Sequence, residues 1–261
     1  MAKKKSRLLR NTGNSRAEAQ AWAEKTYNAL KNYPFEDISP DLSLKINPRA
    51  KRMALRVDPK KRKVKLVLPT DANISRAYEF ALEHKYWIRE KIAELPELIR
   101  FVDGAVLSIL GEEIRIEVSY DKTLKTTDIL LKNNILSVST NKEDSSKRIK
   151  RFLVNLAKEK LTTLSNEKAA QINEKISGID VKDTISRWGS CSHDNRLSFS
   201  WRLIFAPLHA FDYVVAHEVA HMRVMDHSPD FWEECEALSA NYSKGKSWMK
   251  HHSTKLIRYS G

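Results

Sequence analysis

Apolar and polar positions follow two rhythms along this chain, and the switches between them divide it. Residues 15–32, "SRAEAQAWAEKTYNALKN", repeat Ala, Leu, Trp and Tyr at helical spacing behind a Ser15/Glu18 capping pair, and Pro34 stops the run. Period two follows. "SLKIN", "RMALRVD" and "KVKLVLP" alternate apolar with basic residues, which predicts half-buried antiparallel strands with Asp58-Pro59 opening a turn. "SRAYEFALEHKYWIREKIAEL" returns to the helical period and predicts one amphipathic helix from after Ser75 to near Pro96. "AVLSILG", "EEIRIEVSY", "TDILLKN" and "NILSVST" are four short strands separated by Gly, Asp and Asn-Asn turns.

From about Ser145 the texture changes to helix. Residues 145–177 form one long helical pattern, and "DTISRWGSCSHDNRLSFSWRLIF" then interposes two strands. "PLHAFDYVVAHEVAHMR" begins at Pro207, "PDFWEECEALSAN" is capped by Ser228-Pro229, and a last helix falls at 246–258. The pattern predicts an α+β protein. It has a helical extension over 1–40, a β-rich region over 41–144 and a helix-rich domain over 145–261.

Composition adds limits. An apolar fraction of 41% with 7 Gly and 8 Pro in 261 residues describes a folded globular chain. No apolar run approaches the length of a membrane span, and no apolar segment follows the basic N-terminus as in a secretory signal. Cys191 and Cys235 then read as free thiols in a reducing cytoplasm.

Charge is concentrated in two places. The net charge is +13; residues 1–10 carry five basic groups without an acid, and residues 45–65 carry ten with one acid. Such blocks attract nucleic acid, phosphate or acidic surfaces; the alternative is a solvated tail and a solvated hairpin.

The densest chemistry lies in "HEVAHMRVMDH", residues 217–227. His217 and His221, four apart on a helix, share a face and can converge on one zinc ion. Glu218 is one step round and can reach water held by that ion as a general base. His227, six beyond His221, can be a third ligand only if the helix ends first, and Ser228-Pro229 supplies that break. Glu233, Glu234 or Glu236 on the next helix are the alternatives. "RWGSCS" at 187–192 is either an oxyanion-stabilising turn, through Arg187 or the Gly189-Ser190 backbone, or a structural turn around Trp188. Cys191 reads as a packed thiol, and Trp201, Phe231 and Trp232 as core.

These segments stand in a fixed order: "RWGSCS", "LSFSWRL" at 197–203, Pro207, "DYVVAHEVAHM" at 212–222 and "HSPDFW" at 227–232. Together they closely resemble the YgjP-like metallopeptidase family, zincin-like metal-dependent hydrolases. The likeness is specific over 185–235, looser upstream and absent from the first forty residues. The resemblance implies a zincin-like C-terminal domain. It also implies one Zn2+ per chain on His217, His221 and His227, with Glu218 catalytic, and an edge strand near 197–203 that pairs with a peptide or protein substrate. Metzincins share the histidine spacing but carry a glycine where this chain has Val224. SprT-like and WLM proteases, which act on DNA-bound proteins, are similar in the helix motif and leave a DNA-linked role open by analogy. Two other readings remain: a nucleic-acid-associated protein with a structural zinc completed by cysteine, and a zinc hydrolase of a non-peptide amide.

Overall fold

The computed structural model describes residues 32–260, so the helix expected over 15–32 and the basic residues 1–10 lie outside the described part. The chain divides into two compact units, one ending at Pro96 and the other beginning at Glu97.

In the first unit a short helix α1 (Phe35–Ile38) precedes strands β1 (Leu42–Ile46), β2 (Ala54–Asp58) and β3 (Lys63–Leu68), then helices α2 (Ile74–Glu83) and α3 (Lys85–Ala93). β2 and β3 form the expected antiparallel hairpin. β1 does not continue that pattern: it lies parallel to β3, giving the order β1-β3-β2. Alternation decides which face of a strand is buried, whereas order and direction follow from which edge is left open. β3 takes the middle, with Val64, Leu66 and Leu68 fully buried against Ala77, Ala81 and Ile88 of the helices.

The single helix expected over this stretch is two. The Asn73 side chain caps α2 by accepting from the Arg76 N–H at 3.2 Å. At His84 the backbone leaves the helical region, and the ring Nδ1 bonds to the Phe80 carbonyl at 2.8 Å. That carbonyl is the one the His84 amide would have used in a continuous helix.

The second unit carries β4 (Ile99–Arg100) and a four-stranded sheet of β5 (Val106–Ile109), β6 (Glu112–Tyr120), β7 (Asp128–Lys132) and β8 (Ile135–Thr140), in the order β5-β6-β8-β7. Asn133 and Asn134, both at positive φ, make the β7–β8 turn. The long helix α4 (Ser146–Gln171) follows. Next come β9 (Gly178–Lys182), β10 (Gly189–Cys191) and β11 (Arg196–Ser200), and a 3₁₀ turn over Trp201–Phe205. Helices α5 (Leu208–Ala220), α6 (Pro229–Ala237) and α7 (Tyr242–His252), a second 3₁₀ turn and β12 (Tyr259–Ser260) close the unit. No described helix is long and apolar enough to cross a membrane.

The division expected near residues 140–147 falls inside one core. Leu107, Ile116, Leu136 and Val138 of the sheet share it with Ile149 and Leu153 of α4 and with Leu197 and Phe199 of β11. The change of texture marks where strands give way to helices, and the apolar face of this sheet needs those helices to cover it.

Two features fix α5, the helix that matters most below. Lys168 on α4 is buried and pairs with Asp212 at 2.6 Å; it also donates to the Leu238 carbonyl, and the Ser239 hydroxyl donates to Asp212. Gly245 lets α7 lie directly on α5, since a side chain there would overlap the His209 carbonyl and Tyr213.

Candidate metal centre

Pro207 sets the start of α5, and "HEVAH" occupies its last turn. The helix ends at Ala220. Val224 N–H turns back to the Ala220 carbonyl at 3.1 Å, and the Asp226 carboxylate accepts from Ser228 N–H at 3.0 Å. Pro229 then opens α6. The elbow carries His227 back over the end of α5.

The three histidines meet there. One ring nitrogen from each of His217, His221 and His227 lies within 4.8 Å of the others, and the group includes no cysteine or carboxylate. His217 Nε2 and His227 Nε2 are 3.2 Å apart. Two ligands of a tetrahedral zinc at 2.0–2.1 Å would stand about 3.3–3.4 Å apart, so this pair is spaced for one ion. His221 spends its Nδ1 on the Val224 carbonyl at 3.0 Å, which leaves Nε2 for the cluster. Among the described residues His217 Nδ1 is buried without a hydrogen-bond partner, and packing orients its ring.

That packing comes from Phe231. Its ring stacks on His221 at 4.3 Å and meets His217 and His227 edge-on at 4.9 and 4.8 Å. Phe231 is fully buried, as expected of a core residue, but it is also the floor on which all three imidazoles rest. Its position four after His227, in the first turn of α6, was the available signal. Trp232 flanks His217 and His227, with the Lys246 ammonium 3.8 Å from its ring centre.

Burial, then the charges of His221, His227 and Lys246, pushes His217 down to about 3, and burial also lowers His221. Both are held in the neutral form that binds metal. Glu218, only 5% exposed, is pushed up to about 8 by burial, against the pull of the Arg187 charge. A divalent ion on the three imidazoles would act with Arg187 to favour the carboxylate. The residues present therefore fit zinc: three imidazole nitrogens, no thiolate, and a carboxylate close by but outside the group.

A cleft of about 250 Å³ opens over the cluster, lined besides the histidines by Gly189, Ser190 and Cys191 of β10 and by Glu218 and Met225. A second hollow of about 240 Å³ continues past Glu218 between Trp188, Tyr213, Val214 and Met249. β10 is an edge strand, in the order β10-β11-β9. The strand expected at that edge, near 197–203, is instead the middle one, β11, and its last residues turn into the 3₁₀ segment. "RWGSCS" thus supplies the wall of the cleft. Gly189 is required there, because a methyl group in its place would overlap the Glu218 carboxylate.

The remaining candidates sort plainly. Glu233 and Glu236 are exposed, and Glu234 pairs with Arg223 at 3.3 Å, so none joins the histidines. Cys235 is buried in the core. Cys191 lines the cleft with its thiol pushed up to about 11, first by burial and then by the charges of Glu218 and Asp194. Arg187 is exposed and Trp188 half-buried.

A family model described as YgjP-like, metallopeptidase domain, matches residues 51–252. The chain belongs to the YgjP-like family. The YgjP-like match reaches well upstream of the motif-bearing segment and runs across the division at Pro96, taking in residues 51–96 of the first unit and most of the second. No match was found among curated proteins or among solved structures.

Proposed function

We propose that this chain is a zinc-dependent peptidase with a zincin-like catalytic half, holding one Zn2+ on His217, His221 and His227. The observation that carries this reading is the convergence of three histidines beside a buried glutamate, on a cleft bordered by a strand edge. A structural zinc site is closed by four protein ligands, usually including cysteine. Neither Cys191 nor Cys235 joins the group, which favours a catalytic site over a structural one.

Zinc, when bound, supplies a Lewis acid that polarises a carbonyl and lowers the pKa of water. The protein's part falls to its own side chains. The β10 edge can pair with an extended peptide, laying its scissile carbonyl along the cleft. A Glu218 oxygen takes the proton from the attacking water, and the same carboxyl returns it to the leaving amine nitrogen as the C–N bond breaks.

The direct test is a cleavage profile on a mixture of peptides. Hydrolysis that stops with a chelator and returns with zinc is expected; zinc-loaded protein that cleaves no peptide would overturn the reading. A second expectation tests the wall of the cleft. Gly189→Ala displaces the Glu218 carboxylate while leaving the histidines in place. Zinc content measured by atomic absorption should stay near one per chain while peptide turnover falls about a hundredfold, as for other misplacements of about 1 Å.

A further inference from the structure

The fold of the first unit sorts the basic block at 45–65. Its sheet buries Val64, Leu66 and Leu68, with Leu44, Leu55 and Val57 packed against the same core. Alternation along each strand then puts Lys45 of β1, Arg56 of β2, and Lys63 and Lys65 of β3 on the opposite face. Residues 47–53, with Arg49, Lys51 and Arg52 exposed, border that face. Arg62 and Lys65 are withdrawn from it. Arg62 donates to the carbonyls of Leu95, at 3.0 Å, and of Pro96, closing the end of α3. Lys65 pairs with Asp58, the one acid in the block.

What remains is strongly one-signed. Arg56 stands directly across from Lys65, a like-charge placement that the Lys65–Asp58 pair offsets, which leaves Lys45, Arg56 and Lys63 as the unneutralised strand cations. The helical side has the opposite balance: residues 32–44 and 66–96 carry eight acidic and four basic groups. The outer strand positions are Ser43, Lys45, Ala54, Arg56, Asp58, Lys63, Lys65 and Val67, with no aromatic ring among them.

We propose that this outer face, with the 47–53 loop, binds double-stranded DNA by its phosphate backbone and does not read base sequence. A duplex offers about one negative charge per 1.7 Å of axis, and three strands about 4.8 Å apart oppose it with Lys45, Arg56 and Lys63, one unneutralised cation on each strand. Unpaired bases need aromatic platforms to stack on, which the described strand positions of this face lack. Recognition of an RNA duplex relies on its 2′-hydroxyls, and the one hydroxyl among the described strand positions of this face, Ser43, is already bonded to the Val64 carbonyl at 3.3 Å.

The test is fluorescence anisotropy of the full chain with a labelled 20-base-pair duplex across a salt series. The triple change Lys45→Gln, Arg56→Gln and Lys63→Gln should weaken binding at least tenfold and reduce the salt slope by about three, about one for each phosphate no longer neutralised. The loop triple Arg49→Gln, Lys51→Gln and Arg52→Gln should do likewise without touching a strand. Lys175→Gln, Lys182→Gln and Lys250→Gln, exposed cations of the second unit, should change nothing. The proposal fails if wild-type protein does not bind the duplex or if both triples bind like wild type. It also fails if the control triple weakens binding as much, or if single-stranded DNA or duplex RNA binds more tightly.

Discussion

Glu218→Gln should bind zinc as the parent does and lose peptide hydrolysis by about 10²–10⁴-fold, the usual contribution of a positioned acid–base group. The amide has the shape of the carboxyl but cannot take a proton from water, so the loss should appear in kcat with little change in KM. Folding should not suffer. Glu218 is 5% exposed, and burial already pushes its carboxyl up to about 8, so the protein disfavours the charge there. A neutral side chain of the same volume removes that penalty. The metal-free variant is therefore expected to melt no lower than the metal-free parent by calorimetry. Full turnover in this variant would end the proposed role of Glu218, and unchanged turnover after zinc removal would end the proposed role of the metal.

His227→Ala should separate the histidine set from every carboxylate alternative. With it, zinc affinity measured by competition with a chromophoric chelator is expected to fall more than about 100-fold, beyond the 10–100-fold typical when only a partner of a ligand is removed. The cobalt-substituted protein should show a changed ligand field. None of the three α6 glutamates stands ready to replace it, because Glu233 and Glu236 face solvent and Glu234 is engaged with Arg223. His227 is itself exposed and sits in the elbow after α5, so its removal costs edge contacts with Phe231 and Trp232 but leaves Phe231 seated in the core. Unchanged zinc affinity would rule His227 out as a ligand.

The site was more legible in the sequence than the surface around it. The i, i+4 pair, the glutamate one step round and the Ser-Pro restart after His227 are local features, and the structure draws the three histidines together as they implied. The wall of the cleft was not local. "LSFSWRL" reads as a strand, and part of it is one, but strand character does not say whether a strand lies at an edge. That depends on β9, a strand the apolar pattern did not announce, pairing with the far side of β11. Phe231 and Gly189 share this property. Each looks ordinary alone and acquires its role from a residue that another element brings near.

By itself the sequence determined what depends on neighbours along the chain. It specified most of the described helical and extended segments, though not the break at His84 or strand β9, and the start and stop of the motif helix. It also specified the chemistry gathered at 217–227 and the sign of the block at 45–65. Tertiary structure alone decided the rest: β1 lies parallel to β3, the core runs through residue 144 and the chain divides at Pro96. It also withdrew Arg62 into backbone carbonyls and set β10 against Glu218. The physical reason is common to all of these. Periodicity records which side of an element must leave water, and many partners can meet that need; only packing of the whole chain selects among them.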